Sequence, residues 1–202
     1  MKNILLLLLV LFIASCQSDI EIVESMDSET GIKEIFERSR KSNKKEGYYR
    51  KIDSTGVMLE DAQYREDQLN GTRKLYSAEG KLIIEETHKN GVFDGPYRTY
   101  HPDGTLELDG LYANNETTGT WRRYYPNGQI LEEVAFSGNM ENGPFKEWYD
   151  NGSLKAEGTY LEGDNEHGEL MEYDTTGTLI TKKMCERGIC KTIWTKESGD
   201  IN

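Results

Sequence analysis

Apolar and polar residues alternate through much of the chain beyond residue 47. Leu106, Leu108, Gly110 and Tyr112 fall on one side of a period of two, and Glu107, Asp109 and Leu111 on the other. Ile130, Val134 and Phe136 repeat the scheme 24 residues later, with Glu132 as a charged exception. Such a period predicts strands. Turn-forming residues divide them: Pro102-Asp103-Gly104, Pro126-Asn127-Gly128 and Asp150-Asn151-Gly152 inside hairpins, and Asn114-Asn115, Ser137-Gly138-Asn139 and Glu162-Gly163-Asp164-Asn165 between them. Asn-Gly and Asp-Gly supply the positive φ angles of tight hairpin turns. Upstream the pattern changes. Ile32, Ile35 and Phe36 stand at i, i+3, i+4 spacing and predict a short helix within residues 31–40, followed by a charged spacer over residues 39–46. Residues 17–46 read either as a tether or as a cap on the first strand.

The glycines put the hairpins in register. Gly47, Gly71, Gly95, Gly119 and Gly143 are 24 residues apart and Gly168 follows after 25. Gly56, Gly80, Gly104, Gly128, Gly152 and Gly177 trail them by nine. Six repeats therefore occupy residues 47–192, between a leader and linker (1–15 and 16–46) and a tail (193–202). Counted from the first glycine of each repeat, position +5 holds Ile52, Tyr76, Tyr100, Tyr124, Trp148 and Tyr173. Position +2 holds Tyr49, Arg73, Tyr97, Trp121, Phe145 and Leu170, and +17 holds Tyr64, His88, Tyr112, Phe136, Tyr160 and Cys185. The expected fold is all-β: an elongated single-layer antiparallel sheet of twelve strands in six hairpin repeats, with an N-terminal signal and a short helix or linker. At ~4.8 Å per strand it is on the order of 55 Å long.

A charge ladder shares the register. Position +3 is Arg50, Lys74, Arg98, Arg122 and Lys146, and +14 is Asp61, Glu85, Asp109, Glu133 and Glu157. In the sixth repeat both are lost, to Met171 and Lys182. If the columns face each other across each hairpin, they set register and guard against aggregation more than they stabilise, since an exposed pair contributes only ~0.2–1 kcal/mol. The other reading is a charged stripe that recruits a partner.

Units such as Tyr124-Tyr125-Pro126-Asn127-Gly128-Gln129-Ile130-Leu131 and Trp148-Tyr149-Asp150-Asn151-Gly152-Ser153-Leu154 resemble the MORN-repeat variant family, members of which include proteins labelled as antitoxins. The first and sixth repeats depart from the pattern, through Ile52 with Ser54-Thr55-Gly56 and through Cys185. Terminal repeats are expected to be atypical.

Lys2 precedes an apolar run from Ile4 to Ile13, too short for a membrane span at ~20 residues and of the length of an export signal. It ends Ile13-Ala14-Ser15-Cys16, which resembles the bacterial lipobox. That resemblance implies a diacylglyceryl thioether on Cys16, cleavage before it, and attachment to a membrane through the lipid. The alternative is an ordinary signal peptide with an incidental Cys16. The acids Asp19 and Glu21 behind it resemble the surface-export signal of Bacteroidetes lipoproteins. The outer membrane is the expected location.

Composition narrows the functional classes. The net charge is −12, with 36 acidic and 24 basic residues, which argues against nucleic acid as a partner. Hydrophobic residues are only 36%, yet 12 Tyr, 3 Trp and 5 Phe are unlike a disordered chain, so a thin aromatic-packed sheet fits better than disorder. Cys185 and Cys190 can close the last hairpin as a disulfide in an oxidising compartment, or remain free thiols with Cys185 filling an aromatic slot. His88, His101 and His167 lie in three different columns, so no metal site, cofactor or catalytic group is expected. The aromatic columns, Tyr76, Tyr100, Tyr124, Trp148 and Tyr173 with Tyr97, Trp121 and Phe145, are either a binding surface or the core of the ladder. The expected function is a membrane-anchored protein-binding or scaffolding module with an unidentified protein partner. Toxin neutralisation is the alternative the family implies, and a glycan-acting enzyme a more distant one.

Overall fold

The computed structural model describes residues 19–201. Every regular element among them is a strand. The first eight are β1 (Ile20–Met26), β2 (Lys33–Ser39), β3 (Lys45–Ile52), β4 (Met58–Arg65), β5 (Gln68–Leu69), β6 (Gly71–Tyr76), β7 (Leu82–Lys89) and β8 (Val92–Tyr100). Then follow β9 (Leu106–Ala113), β10 (Glu116–Tyr124), β11 (Ile130–Ser137), β12 (Met140–Trp148), β13 (Leu154–Tyr160), β14 (Gly168–Tyr173), β15 (Leu179–Glu186), β16 (Ile189–Thr195) and β17 (Gly199–Asp200). They form one 17-stranded antiparallel sheet. Each strand pairs with the next along the chain, except that β5 and β6 share one edge of β4 as a single interrupted strand. All substantial contacts between elements are between ladder neighbours, so the sheet is a single layer.

The sheet is longer than its glycine columns indicate, at both ends. The helix expected within residues 31–40 is instead β2, and residues 20–26 pair with it as β1. Residues 19–46 are thus neither a long tether nor a helical cap. The i, i+3, i+4 spacing of Ile32, Ile35 and Phe36 competes with a period-two pattern through Glu34, Phe36 and Arg38, and docking on β3 decides in favour of the strand: Phe36 pairs with Tyr49. The residues expected as a tail from 193 continue β16 and return as β17.

Two kinds of turn alternate along the ladder. Between repeats, two-residue turns such as Asn90-Gly91, Asn114-Asn115 and Gly138-Asn139 have positive φ at both positions, as tight hairpin turns need. Within repeats only the glycine is left-handed, for example Gly104 at +91° and Gly128 at +82°. The preceding Asp or Asn has a different task from the one expected of it. Its side chain accepts from the backbone two residues on, as Asp103 does from Thr105 N at 2.9 Å and Asn127 from Gln129 N at 3.0 Å. Each internal turn is followed by a one-residue bulge. It pairs Leu106 with Tyr100 and Ile130 with Tyr124, interrupting the alternation before Leu108 and Glu132.

Stapling from one repeat to the next runs along both margins. Asn127 Nδ2 donates to Asp150 O at 2.9 Å and Asn151 Nδ2 to Thr175 O at 2.8 Å. The residues after three of the +5 aromatics make a second set. Tyr125 and Tyr149 hydroxyls donate to the carbonyls of Trp148 and Tyr173, and His101 Nε2 lies 3.0 Å from Tyr124 O. At the other margin Asn115 and Asn139 accept from Phe93 N and Thr117 N, both at 2.8 Å.

Candidate functional site

One face of the sheet is packed and the other carries charge. On the packed face, position +2 pairs with +15: Tyr49 with Ala62, Tyr97 with Gly110, Trp121 with Val134 and Phe145 with Gly158. Rings lie down over glycines of a neighbouring strand, Phe145 over Gly158 and Trp121 over Gly110. Tyr49, Trp121, Val134, Phe145, Leu170 and Cys185 are buried as a result. The +17 rings extend the row, with Tyr97 against Tyr112 at 5.6 Å, Tyr112 against Trp121 at 5.2 Å and Phe145 stacked on Tyr160 at 4.1 Å.

The aromatic columns do not form one surface. Trp121 and Phe145 are core, with Tyr97 half-buried beside them. The +5 column belongs to the opposite face, where it completes the charge ladder. Tyr100, Tyr124 and Tyr173 donate to Glu85, Asp109 and Glu157 of the preceding repeat, at 3.2, 2.8 and 2.7 Å. Tyr76 and Trp148 occupy the same half-buried positions.

The ladder is more continuous than the hairpin pattern implies. Every acid at +14 pairs in register with the base of its own hairpin, and the first four also pair with the base of the next. Asp61 stands between Arg50 and Lys74, Glu85 between Lys74 and Arg98, Asp109 between Arg98 and Arg122, and Glu133 between Arg122 and Lys146. Ion pairs close at 3.7 Å for Arg50–Asp61, 3.3 Å for Arg122–Glu133 and 3.2 Å for Lys146–Glu157.

The second repeat breaks the packed face with polar groups. Arg73 replaces the +2 ring and bridges Glu60 at 2.6 Å and Glu86 at 3.0 Å. Glu86 also meets His88 Nε2 at 2.9 Å. Glu86 and His88 are 5% and 6% exposed, and His88 Nδ1 has no partner. Burial acts against the Arg73 charge, but its two carboxylate partners outweigh that and hold its pKa above the ordinary value. The sequence carries this departure as Arg73 and His88 in otherwise largely aromatic columns, though neither singly stands out.

Further along, the packed face opens into two cavities one repeat apart. The smaller, about 160 Å³, is lined by Trp121, Arg123, Glu132, Phe136 and Glu141. The larger, about 320 Å³, is lined by Phe145, Glu147, Ala156, Tyr160 and Glu166. Glu132 and Glu147 are direct cross-strand partners, a like-charge pairing that costs stability. Arg123 lies 3.7 Å from Glu132, and Lys155 lies 2.6 Å from Glu147. Burial, then Asp164 and Glu132, push the Glu141 carboxyl up from its usual range. Burial raises the Tyr160 phenol strongly, helped by Glu147, Glu141, Glu132 and Glu166.

Cys185 and Cys190 are cross-strand partners in β15 and β16 and form a disulfide. Cys185 fills the last +17 slot within the cluster of Val134, Phe145 and Leu170, while Cys190 is exposed. Among the described residues no group of three or more His, Cys, Asp and Glu side chains is placed to hold a metal ion. Cys16 and the leader before it lie outside the described residues.

The family model of the MORN repeat variant matches residues 69–90, 93–114, 117–137 and 141–162. Each match begins two residues before Gly71, Gly95, Gly119 or Gly143, in phase with the second to fifth repeats. No curated protein matches the chain.

Proposed function

This is a MORN-variant repeat protein, and on that premise we propose that it is a lipid-anchored envelope protein whose sheet is a protein-binding or scaffolding module at the outer membrane. It works by multipoint contact along the packed face, without a reaction. The observation that carries this reading is the packed face itself. It runs from Phe36 to Cys185 along a stapled sheet and, among the described residues, no second layer covers it. Half-buried rings and two cavities lie along it. A sheet with one such face presents area for a partner without having to order itself first.

The lipobox-like sequence supports the anchor, and the fold sharpens what that anchor would do. Cys16 stands four residues before Ile20, the first residue of β1. At ~3.5 Å per residue the span is at most ~14 Å, so a lipid on Cys16 holds the first hairpin against the bilayer. The exposed Ile22 and Met26 of β1 lie on that edge.

Crosslinking in the native cell, followed by identification of what co-purifies, tests the module. A discrete protein partner is expected, and recovery of lipid alone overturns the reading. Cys16→Ala is expected to release the protein from the membrane fraction. Retention there would remove the anchor from the proposal.

A further inference from the structure

The two cavities are one site repeated. Both are lined from the same five positions: +2 (Trp121, Phe145), +4 (Arg123, Glu147), +13 (Glu132, Ala156), +17 (Phe136, Tyr160) and the position two residues before the repeat glycine (Glu141, Glu166). In each an aromatic +17 residue pairs directly with that last acid. Phe136 stands opposite Glu141, and Tyr160 forms a bridge with Glu166. No ion pair engages Glu141 or Glu166 among the described residues.

The first repeat shows what the +2 and +17 rings accept. There the same position is Lys45, whose Nζ sits 4.4 Å from the ring centre of Tyr49, 5.0 Å from Tyr64 and 5.1 Å from Phe36. The chain fills its own aromatic cage with its own ammonium. In the fifth and sixth repeats the position is acidic, as Glu141 and Glu166, and among the described residues no cation lies over Phe136 or Tyr160. Rings that no lysine covers, beside a carboxylate that no cation pairs, attract a cation from outside through ring quadrupole and carboxylate together. The opposed Glu132 and Glu147 between the two cavities are already paired with Arg123 and Lys155, which leaves Glu141 and Glu166 as the acids open to an outside cation. Trp121, lining the smaller cavity, keeps its buried Nε1 without a hydrogen-bond partner.

We propose that these cavities bind an extended basic segment of a partner protein, with one lysine or arginine entering each. The inference names the partner chemistry of the module proposed above and rests on that reading. Spacing follows from geometry. Equivalent positions in adjacent repeats are two strands apart, ~9.6 Å at ~4.8 Å per strand, and an extended peptide in the polyproline II conformation advances ~3.1 Å per residue and returns to the same side every third residue. The two cations therefore stand three residues apart.

The test titrates the full chain with short peptides carrying two lysines three residues apart, adjacent, or six apart. Glutamine in place of both lysines is the control. The three-apart peptide is expected to bind about tenfold tighter than the others, with affinity falling as salt rises. Glu141→Gln with Glu166→Gln is expected to lose that preference while keeping its thermal midpoint, and Asp61→Asn on the charged face to retain it. Equal binding of all lysine peptides, or a preference surviving in the double glutamine variant, overturns the inference. If crosslinking recovers a partner but the three-apart peptide is ignored, this inference fails and the module stands. If the peptide binds selectively and no partner is recovered, the pockets stand and the module fails.

Discussion

At the scale of single residues, glycine does two unrelated jobs in this chain. In the turns it supplies a left-handed backbone. Gly110 and Gly158 are different: their φ angles are ordinary, and they are glycines because a ring occupies the space of a side chain. A Cβ on Gly110 would lie 2.1 to 2.5 Å from three atoms of the Trp121 indole, and one on Gly158 would lie 2.8 Å from Phe145. Trp121 is itself held by Tyr97, Tyr112 and Phe136, so it cannot swing away cheaply. Gly110→Ala is expected to cost about 1–3 kcal/mol in a urea unfolding curve. Gly104→Ala meets no atom within 4 Å and is expected to cost only its backbone strain, about 1 kcal/mol. Equal losses for the two would show that turn conformation rather than ring packing governs. From sequence the alternation put Gly110 with Leu108 and Tyr112, and the structure keeps it beside them. What pattern alone cannot carry is which ring covers it, because the covering residue belongs to the next repeat. The Arg73, Glu86 and His88 node was hidden for a related reason: it is a relation among three columns, each of which varies singly elsewhere.

Among elements, the ladder shows how hairpins are joined to hairpins. A +14 acid is shared between the base of its own hairpin and a tyrosine of the next. Glu157 is the clearest case. The Tyr173 hydroxyl holds its carboxyl below the usual range, against the opposing effect of burial and with help from Lys146. Tyr173 in turn is pushed up to about 12 by burial and by the Glu157 it bonds. The two contributions to stability vanish at opposite ends of the pH scale. A carboxyl with a lowered folded pKa stabilises above its unfolded value of 4.5, and that share is lost as pH falls through the folded value. A phenol with a raised pKa stabilises fully below its unfolded value of 10.0, and that share is lost as pH rises from there to about 12. Tyr173→Phe should therefore lower the thermal midpoint at neutral pH and flatten its dependence on pH at both ends, measured by circular dichroism from pH 3 to 11. A variant curve parallel to the wild type throughout would show that the pair is not coupled. Register pairing across a single hairpin was legible from the matching of bases and acids at +3 and +14. The tyrosine that closes the contact was legible only as an aromatic column, since its hydroxyl reaches into a different repeat.

On the scale of the whole molecule, the chain behaves as a one-dimensional stack in which each repeat contacts only its neighbours. The period was plain in the sequence because every repeat needs the same two turns. The ends were not, because β1, β2 and the strands after residue 188 close the stack with outer faces that need no ring column. Ile22, Met26 and Ile189 are exposed there. A stack of this kind should tolerate loss of a whole period but not part of one. Deleting residues 119–142 joins Thr118 to Gly143 and brings Phe145 over Gly110 where Trp121 lay. The new pair matches a ring to a glycine just as Phe145 and Gly158 do now. The shortened protein is expected to fold cooperatively with a lower midpoint, having lost one repeat and one interface. Deleting residues 119–130 instead throws +2 against turn positions and should abolish the cooperative transition. The longer deletion also removes Phe136 and Glu141 and leaves one cavity, so it should still bind a lysine peptide but no longer distinguish lysines three apart from lysines adjacent. A folded deletion protein that kept the spacing preference would show that the preference arises outside the paired cavities.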